Sequence, residues 1–197
     1  LPGEFVYQGT VLAHVLEGPI GPEFDTLLAD IHDSFDIGMD RSFDQDPRFG
    51  MITLSEIASR ALSPAVNDPG TAIDVIRRMT RVMSLWDDRA VPDVDFPHLW
   101  VRGMSADEML RDAFAATARD GAALCEVQIT LQRALLAMAQ QNPGIFAYAA
   151  RAQSQRAMSY AQGAMPIREE VDHLQGVADQ INGVAHSPQG DGVQAKT

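Results

Sequence analysis

Apolar positions along this chain follow two different periods. Near the N-terminus they suit extended structure. Residues 3–10 and 11–16 are short β-prone runs, and Gly9 marks a turn between them. Residues 35–43 alternate Phe35, Ile37 and Met39 against Asp36, Gly38 and Asp40, a period of two that predicts a strand. Leu99, Trp100 and Val101 suggest another short strand at about 98–102. Elsewhere the period is helical. Phe24, Leu27, Leu28 and Ile31 predict a helix over residues 23–33. Thr53 and Glu56 form a capping-box pattern, and the helix it opens runs on Leu54, Ile57, Ala58, Ala61 and Leu62 until Ser63-Pro64. Asp68-Pro69 opens the next, with Asp as N-cap and Pro at the first helical position. Its stripe is Ala72, Ile76, Met79, Met83 and Trp86.

Ser105 and Glu108 form a second capping box, followed by helices to about residue 183. Asn142-Pro143-Gly144 interrupts them, and Pro166 precedes a last helix with Ile167, Val171, Leu174, Ala178 and Ile181 at alternating steps of four and three. The pattern predicts an α+β fold that is predominantly helical, with a small N-terminal β-unit (residues 3–16, 35–43 and about 98–102) packed on a helical bundle. Residues 1–184 read as one such domain, β-rich over 1–50 and helical over 51–184. Residues 185–197 read as a flexible tail.

Composition narrows the classes of function. The 197 residues carry 27 acids against 15 bases, a net charge of −12, which argues against nucleic acid as a partner. Ten of the acids and only two bases lie in residues 1–50. All bases but Lys196 are arginines, a side chain suited to bidentate pairing with carboxylate or phosphate. The single cysteine, Cys125, has no intramolecular disulfide partner and reads as a buried helical thiol. No apolar run reaches the roughly 18 to 20 residues that span a bilayer. The chain opens at Leu1 in patterned sequence, which suits a piece cut from a longer protein.

Chemistry concentrates between Arg41 and Asp74. Charged and turn-forming residues crowd positions 40–50, and a second polar turn, 63–70, separates two helices. A helix start such as Asp68-Pro69-Gly70 offers free backbone N–H groups to an anion. The same residues also suit pure architecture: Asn67 in a turn, Asp68 as a cap, Asp74 paired with Arg78, and Arg41 and Arg60 as paired struts. Asp40, Asp44 and Asp46 suggest a cation, but an EF-hand loop counted from Asp40 has Gln45 at its sixth position and Met51 at its twelfth. The five histidines are scattered, and no nucleophile elbow or P-loop is present. No cofactor and no metal are expected.

Two blocks carry a family resemblance. One is Arg41 with Gln45-Asp46-Pro47 and Phe49-Gly50. The other is Ile57-Ala58, Arg60-Ala61-Leu62-Ser63-Pro64-Ala65, Asn67-Asp68-Pro69 and Thr71-Ala72. Together with Gly3, Phe5, Val6 and Gly9 they resemble a bacterial predicted membrane protein family, domain of unknown function 2254. The segment Met51-Ile52-Thr53 departs from that family's pattern, in which an arginine follows the glycine. The resemblance implies that a membrane-spanning half of the same protein precedes this soluble half, which then lies on the cytoplasmic side of the cell membrane. It implies no activity.

Three functions remain open. The first is a non-enzymatic regulatory or ligand-sensing domain that takes a small polar or anionic ligand at Arg41, Gln45, Asp46, Arg60, Ser63, Asn67, Asp68 and Thr71. The second is a metal- or carboxylate-dependent hydrolase using Asp44, Asp46 and Asp68. The third is a structural module that makes a homo-oligomer through residues 167–181.

Overall fold

A computed structural model describes residues 3–15, 21–44, 46–87 and 102–185. Among these residues the protein is all helical, with seven helices and no strand. The helices are α1 (Pro22–Asp33), α2 (Pro47–Ala61), α3 (Pro69–Met83), α4 (Ala106–Asp120), α5 (Cys125–Gln141), α6 (Pro143–Ala164) and α7 (Arg168–Gly183). The chain forms two compact units, Leu1–Phe49 and Gly50–Thr197.

Among the described residues the predicted β-unit is absent. Residues 4–6 and 11–15 have no regular secondary structure, and no ladder pairs them. Around Gly9 the chain makes a local turn instead, in which the Thr10 N–H donates to the Tyr7 carbonyl at 3.0 Å and the Tyr7 N–H donates to Thr10 Oγ1 at 3.0 Å. The alternating run from Phe35 begins as the frayed end of α1, its N–H donating to the His32 carbonyl. Alternation decides which side chains would share a face, but a strand also needs a neighbour for its backbone groups. Most of the strand predicted at 98–102 lies outside the described residues.

In the second unit, α5 packs against α3, α6 and α7, and α4 lies along α6. Ile76, Met79, Leu110, Phe114, Leu131, Leu135, Met138 and Phe146 fill the main core. A smaller cluster of Met158, Met165, Leu174 and Ala178 joins α6 to α7. The four-three spacing of α7 therefore works inside the bundle, where Leu174, Ala178 and Ile181 are buried. Two glutamines of α5 are buried with polar partners. The Gln128 amide donates to the Ala118 carbonyl at 2.8 Å, and Gln132 exchanges hydrogen bonds with Ser154. Arg151 donates to the Asn182 and Val184 carbonyls, closing the C-terminal end of α7.

Helix α2 begins six residues before the predicted capping box at Thr53. The competing start is Asp46-Pro47, the same Asp-Pro signature that opens α3 at Asp68-Pro69. The Asp46 carbonyl and its Oδ1 both accept from the Phe49 N–H, at 3.0 and 3.1 Å. The capping box at Ser105 and Glu108 does open its helix, α4.

Candidate functional site

The residues singled out by the sequence fall into three local settings. In the first unit, Arg41 and Asp46 belong to each other. Arg41 Nε donates to Asp46 Oδ2 at 2.7 Å, and Nη2 lies 2.5 Å from the same oxygen. Asp46 is only 5 % exposed. The Arg41 guanidinium also sits 4.9 Å above the Phe49 ring, which stacks on Phe43 at 4.6 Å. Gly3 closes over this pair at φ +78°, and a Cβ there would fall 1.8 Å from Asp46 Oδ2. The glycine is thus explained twice, by a left-handed backbone and by a carboxylate against its α-carbon. Gln45 lies outside the described residues.

The second setting is the link from α2 to α3. Asn67 adopts φ 49°, a left-handed conformation that Asn tolerates better than most residues. Its N–H donates to the Ser63 carbonyl at 2.8 Å, and the Asp68 N–H donates to the Ala61 carbonyl at 2.8 Å. The Ser63 hydroxyl turns back to the Arg60 carbonyl at 2.7 Å. Asp68 then caps α3, accepting from the Thr71 N–H at 3.0 Å and from the Thr71 hydroxyl at 2.6 Å. These two bonds from Thr71, with another from the Gly70 N–H, hold the Asp68 carboxyl below its ordinary pKa against a small opposing effect of desolvation. Ser63, Asn67, Asp68 and Thr71 therefore bond to one another and to the backbone of this turn, and the bonds that join them to Arg60 are the two from the Ser63 N–H and hydroxyl to its carbonyl.

The third setting was not foreseen. A groove of about 600 Å³ runs between α2 and α4, and all of its lining residues belong to the second unit. From α2 it takes Ile52, Ser55 and Arg60, and from α4 Arg111, Ala115 and Arg119. Glu56 and Asp112 also line it. Arg111 is paired with Asp107 at 2.5 Å, and Arg119 with Asp120 at 2.7 Å. Arg60 is exposed and has no side-chain partner among the described residues. Ser55 is 3 % exposed, and its hydroxyl has no hydrogen-bond partner. Across the groove, the Ser59 hydroxyl donates to Asp120, tying α2 to α4. Burial alone would raise the Asp120 carboxyl, but the hydrogen bonds from Arg119 and Ser59 and the Arg119 charge outweigh it and leave it below its ordinary value. Arg111 and Arg119 sit on a helix predicted from its cap and apolar stripe. Only their helical spacing of eight residues hinted that they share a face.

Other chemistry is sparse. Among the described residues, no group of three or more His, Cys, Asp or Glu is placed to hold a metal ion. Cys125 opens α5, and burial, with smaller effects from Glu170 and Glu126, pushes its thiol up. That keeps it protonated and a poor nucleophile.

A known family model matches residues 1–137, a span that includes both turns. The chain belongs to the predicted membrane protein family, domain of unknown function 2254. The chain is also similar to the uncharacterized proteins Mb1321c of Mycobacterium bovis and Rv1290c of Mycobacterium tuberculosis. Each is 51 % identical over 97 residues, which is 46 % of this chain and 18 % of the relative. The match thus spans less than a fifth of the length of these relatives. No solved structure matches it. Among the described residues, no helix is long and apolar enough to cross a membrane.

Proposed function

We propose that this chain is a non-enzymatic regulatory or ligand-sensing domain of a bacterial membrane protein, facing the cytoplasm and answering to a small polar or anionic molecule. The observation that carries this reading is the state of Arg60. Of the polar residues in the two family blocks, Arg41, Asp46, Ser63, Asn67, Asp68 and Thr71 hold helix ends and turns. Arg60 presents an unpaired guanidinium to a groove in a strongly acidic chain. A guanidinium in that position offers a fork of donors to a carboxylate or phosphate. The membership of a predicted membrane protein family supports the membrane context.

The test is a thermal-shift screen of the 197-residue chain against carboxylates, phosphates, neutral polar molecules and divalent cations. A ligand that binds only the folded state raises the melting temperature with concentration. At least one compound is expected to do so. A flat response across the whole panel would contradict the sensing role.

A further inference from the structure

We propose that the α2–α4 groove is the binding site for a small organic oxyanion, a carboxylate or phosphate on a short apolar body, and that Asp120 is the internal counter-ion which this ligand displaces from Arg119. This rests on the ligand-sensing reading and deepens it.

The bond between Ser59 and Asp120 sets the register of the two helices. It brings the neighbouring residues, Arg60 and Arg119, to the same end of the groove. From there both helices run back in the same sense, Arg60 to Ile52 and Arg119 to Arg111. Eight residues of helix give the groove a length of about 12 Å. One end therefore holds two guanidinium groups. The middle is floored by Ala115 and Ala116. Glu56 lies between Arg60 and Ile52, and Asp112 stands beside Arg111 at the opposite end from Arg60, which disfavours a ligand with negative charge along its whole length. An oxyanion confined to one end, with an apolar body on the alanines, fits this distribution.

Two further features point to a ligand. The Ser55 hydroxyl lines the groove, is buried and lacks a partner, and a buried polar group is costly to leave unsatisfied. Asp120 already places a carboxylate on Arg119, taking the bonds from Nε and Nη2 at 2.7 and 3.2 Å. A bound oxyanion would repeat that geometry while also engaging Arg60. In doing so it releases Asp120, and with it the Ser59 bond that ties α2 to α4. Ligand binding thereby reaches the link between two helices.

The test uses the full chain at low ionic strength, in buffer free of phosphate and sulfate. Phenyl phosphate and benzoate serve as probes, inorganic phosphate as the oxyanion without a body, and benzyl alcohol as the body without charge. Titration calorimetry should show phenyl phosphate or benzoate binding more tightly than inorganic phosphate, and no heat from benzyl alcohol. Arg60→Gln should weaken binding by about tenfold or more, the usual scale for losing a charge-assisted hydrogen bond. Arg60→Lys should recover part of that loss. Asp120→Asn should tighten binding several-fold by removing the competitor, while its own melting temperature falls. If neither aromatic oxyanion binds, the proposal is overturned, as it is by binding unchanged in both Arg60→Gln and Asp120→Asn. If other compounds in the thermal-shift screen still stabilise the chain, the sensing role survives that result. If none does, both fall.

Discussion

Two Asp-Pro pairs open helices in this protein, and their surroundings differ. Asp46 is buried, holds Arg41 on one oxygen and the start of α2 on the other, and lies under Gly3. Asp68 is exposed and is satisfied within four residues by Thr71. The local chemistry is the same, since each aspartate accepts the N–H of the residue three positions on. What differs is how far each cap is coupled to the rest of the chain. The Asp46 cap is a tertiary contact that also fixes an arginine, an aromatic pair and the N-terminal segment. The Asp68 cap concerns α3 and its entry turn.

The largest expected effect comes from breaking the coupled cap. Asp46→Ala removes an N-cap and leaves Arg41 without its counter-ion. With Arg41 partly exposed, the cost is about 2–3 kcal/mol. Circular dichroism melts should show a fall of about 5 °C or more for a chain of this size. Hydrogen exchange at the Phe49 amide should accelerate in the same variant, because that N–H loses its side-chain acceptor.

Gly3→Ala comes next. Its Cβ would overlap the Asp46 carboxylate and sit at a left-handed φ, so the N-terminal segment must lift away. The two substitutions should be non-additive, since removal of the carboxylate relieves the overlap and leaves only the backbone strain. Simple additivity in a double-mutant cycle would show that Gly3 does not rest on Asp46.

Asp68→Asn should be the mildest of the three, lowering the melting temperature less than Asp46→Ala. It also carries a pH signature. The Asp68 carboxyl is depressed in the folded state, so its contribution is complete above the unfolded value of about 4 and is lost as pH falls through the folded value. The melting difference between wild type and Asp68→Asn should therefore be constant near neutral pH and shrink in acid. A difference that grows in acid would contradict the assignment of Thr71 as the cause.

Most helices were legible because caps and apolar stripes are local. Asp68-Pro69, the Ser105 and Glu108 box, Asn142-Pro143 and the stripe from Ala72 to Met83 each lie at or within a helix as expected. The start of α2 was misread because Thr53 and Glu56 make a capping pattern that also suits a helix interior. The deciding signal, Asp46-Pro47, stands among the turn-forming residues of positions 40–50. The strands failed for a different reason. Period-two patterning at Phe35, Ile37 and Met39 is a local signal, whereas a strand is defined by a partner that the pattern does not name.

For the site, the family blocks include Arg60, but most of their polar residues work as caps and turns. The groove depends on Arg111 and Arg119, some fifty residues beyond Arg60. Only the packing of α4 beside α2 brings them together.

The central claim is that the polar turns hold the helices while Arg60 reads the ligand. The most direct measurement is the melting temperature of wild type, Arg60→Gln and Asp68→Asn with and without phenyl phosphate. Asp68→Asn should melt lower than wild type yet keep the full ligand-induced shift. Arg60→Gln should melt with wild type in buffer and lose the shift. A shift that disappears in Asp68→Asn but persists in Arg60→Gln would place recognition in the turn and contradict the division of labour argued for here.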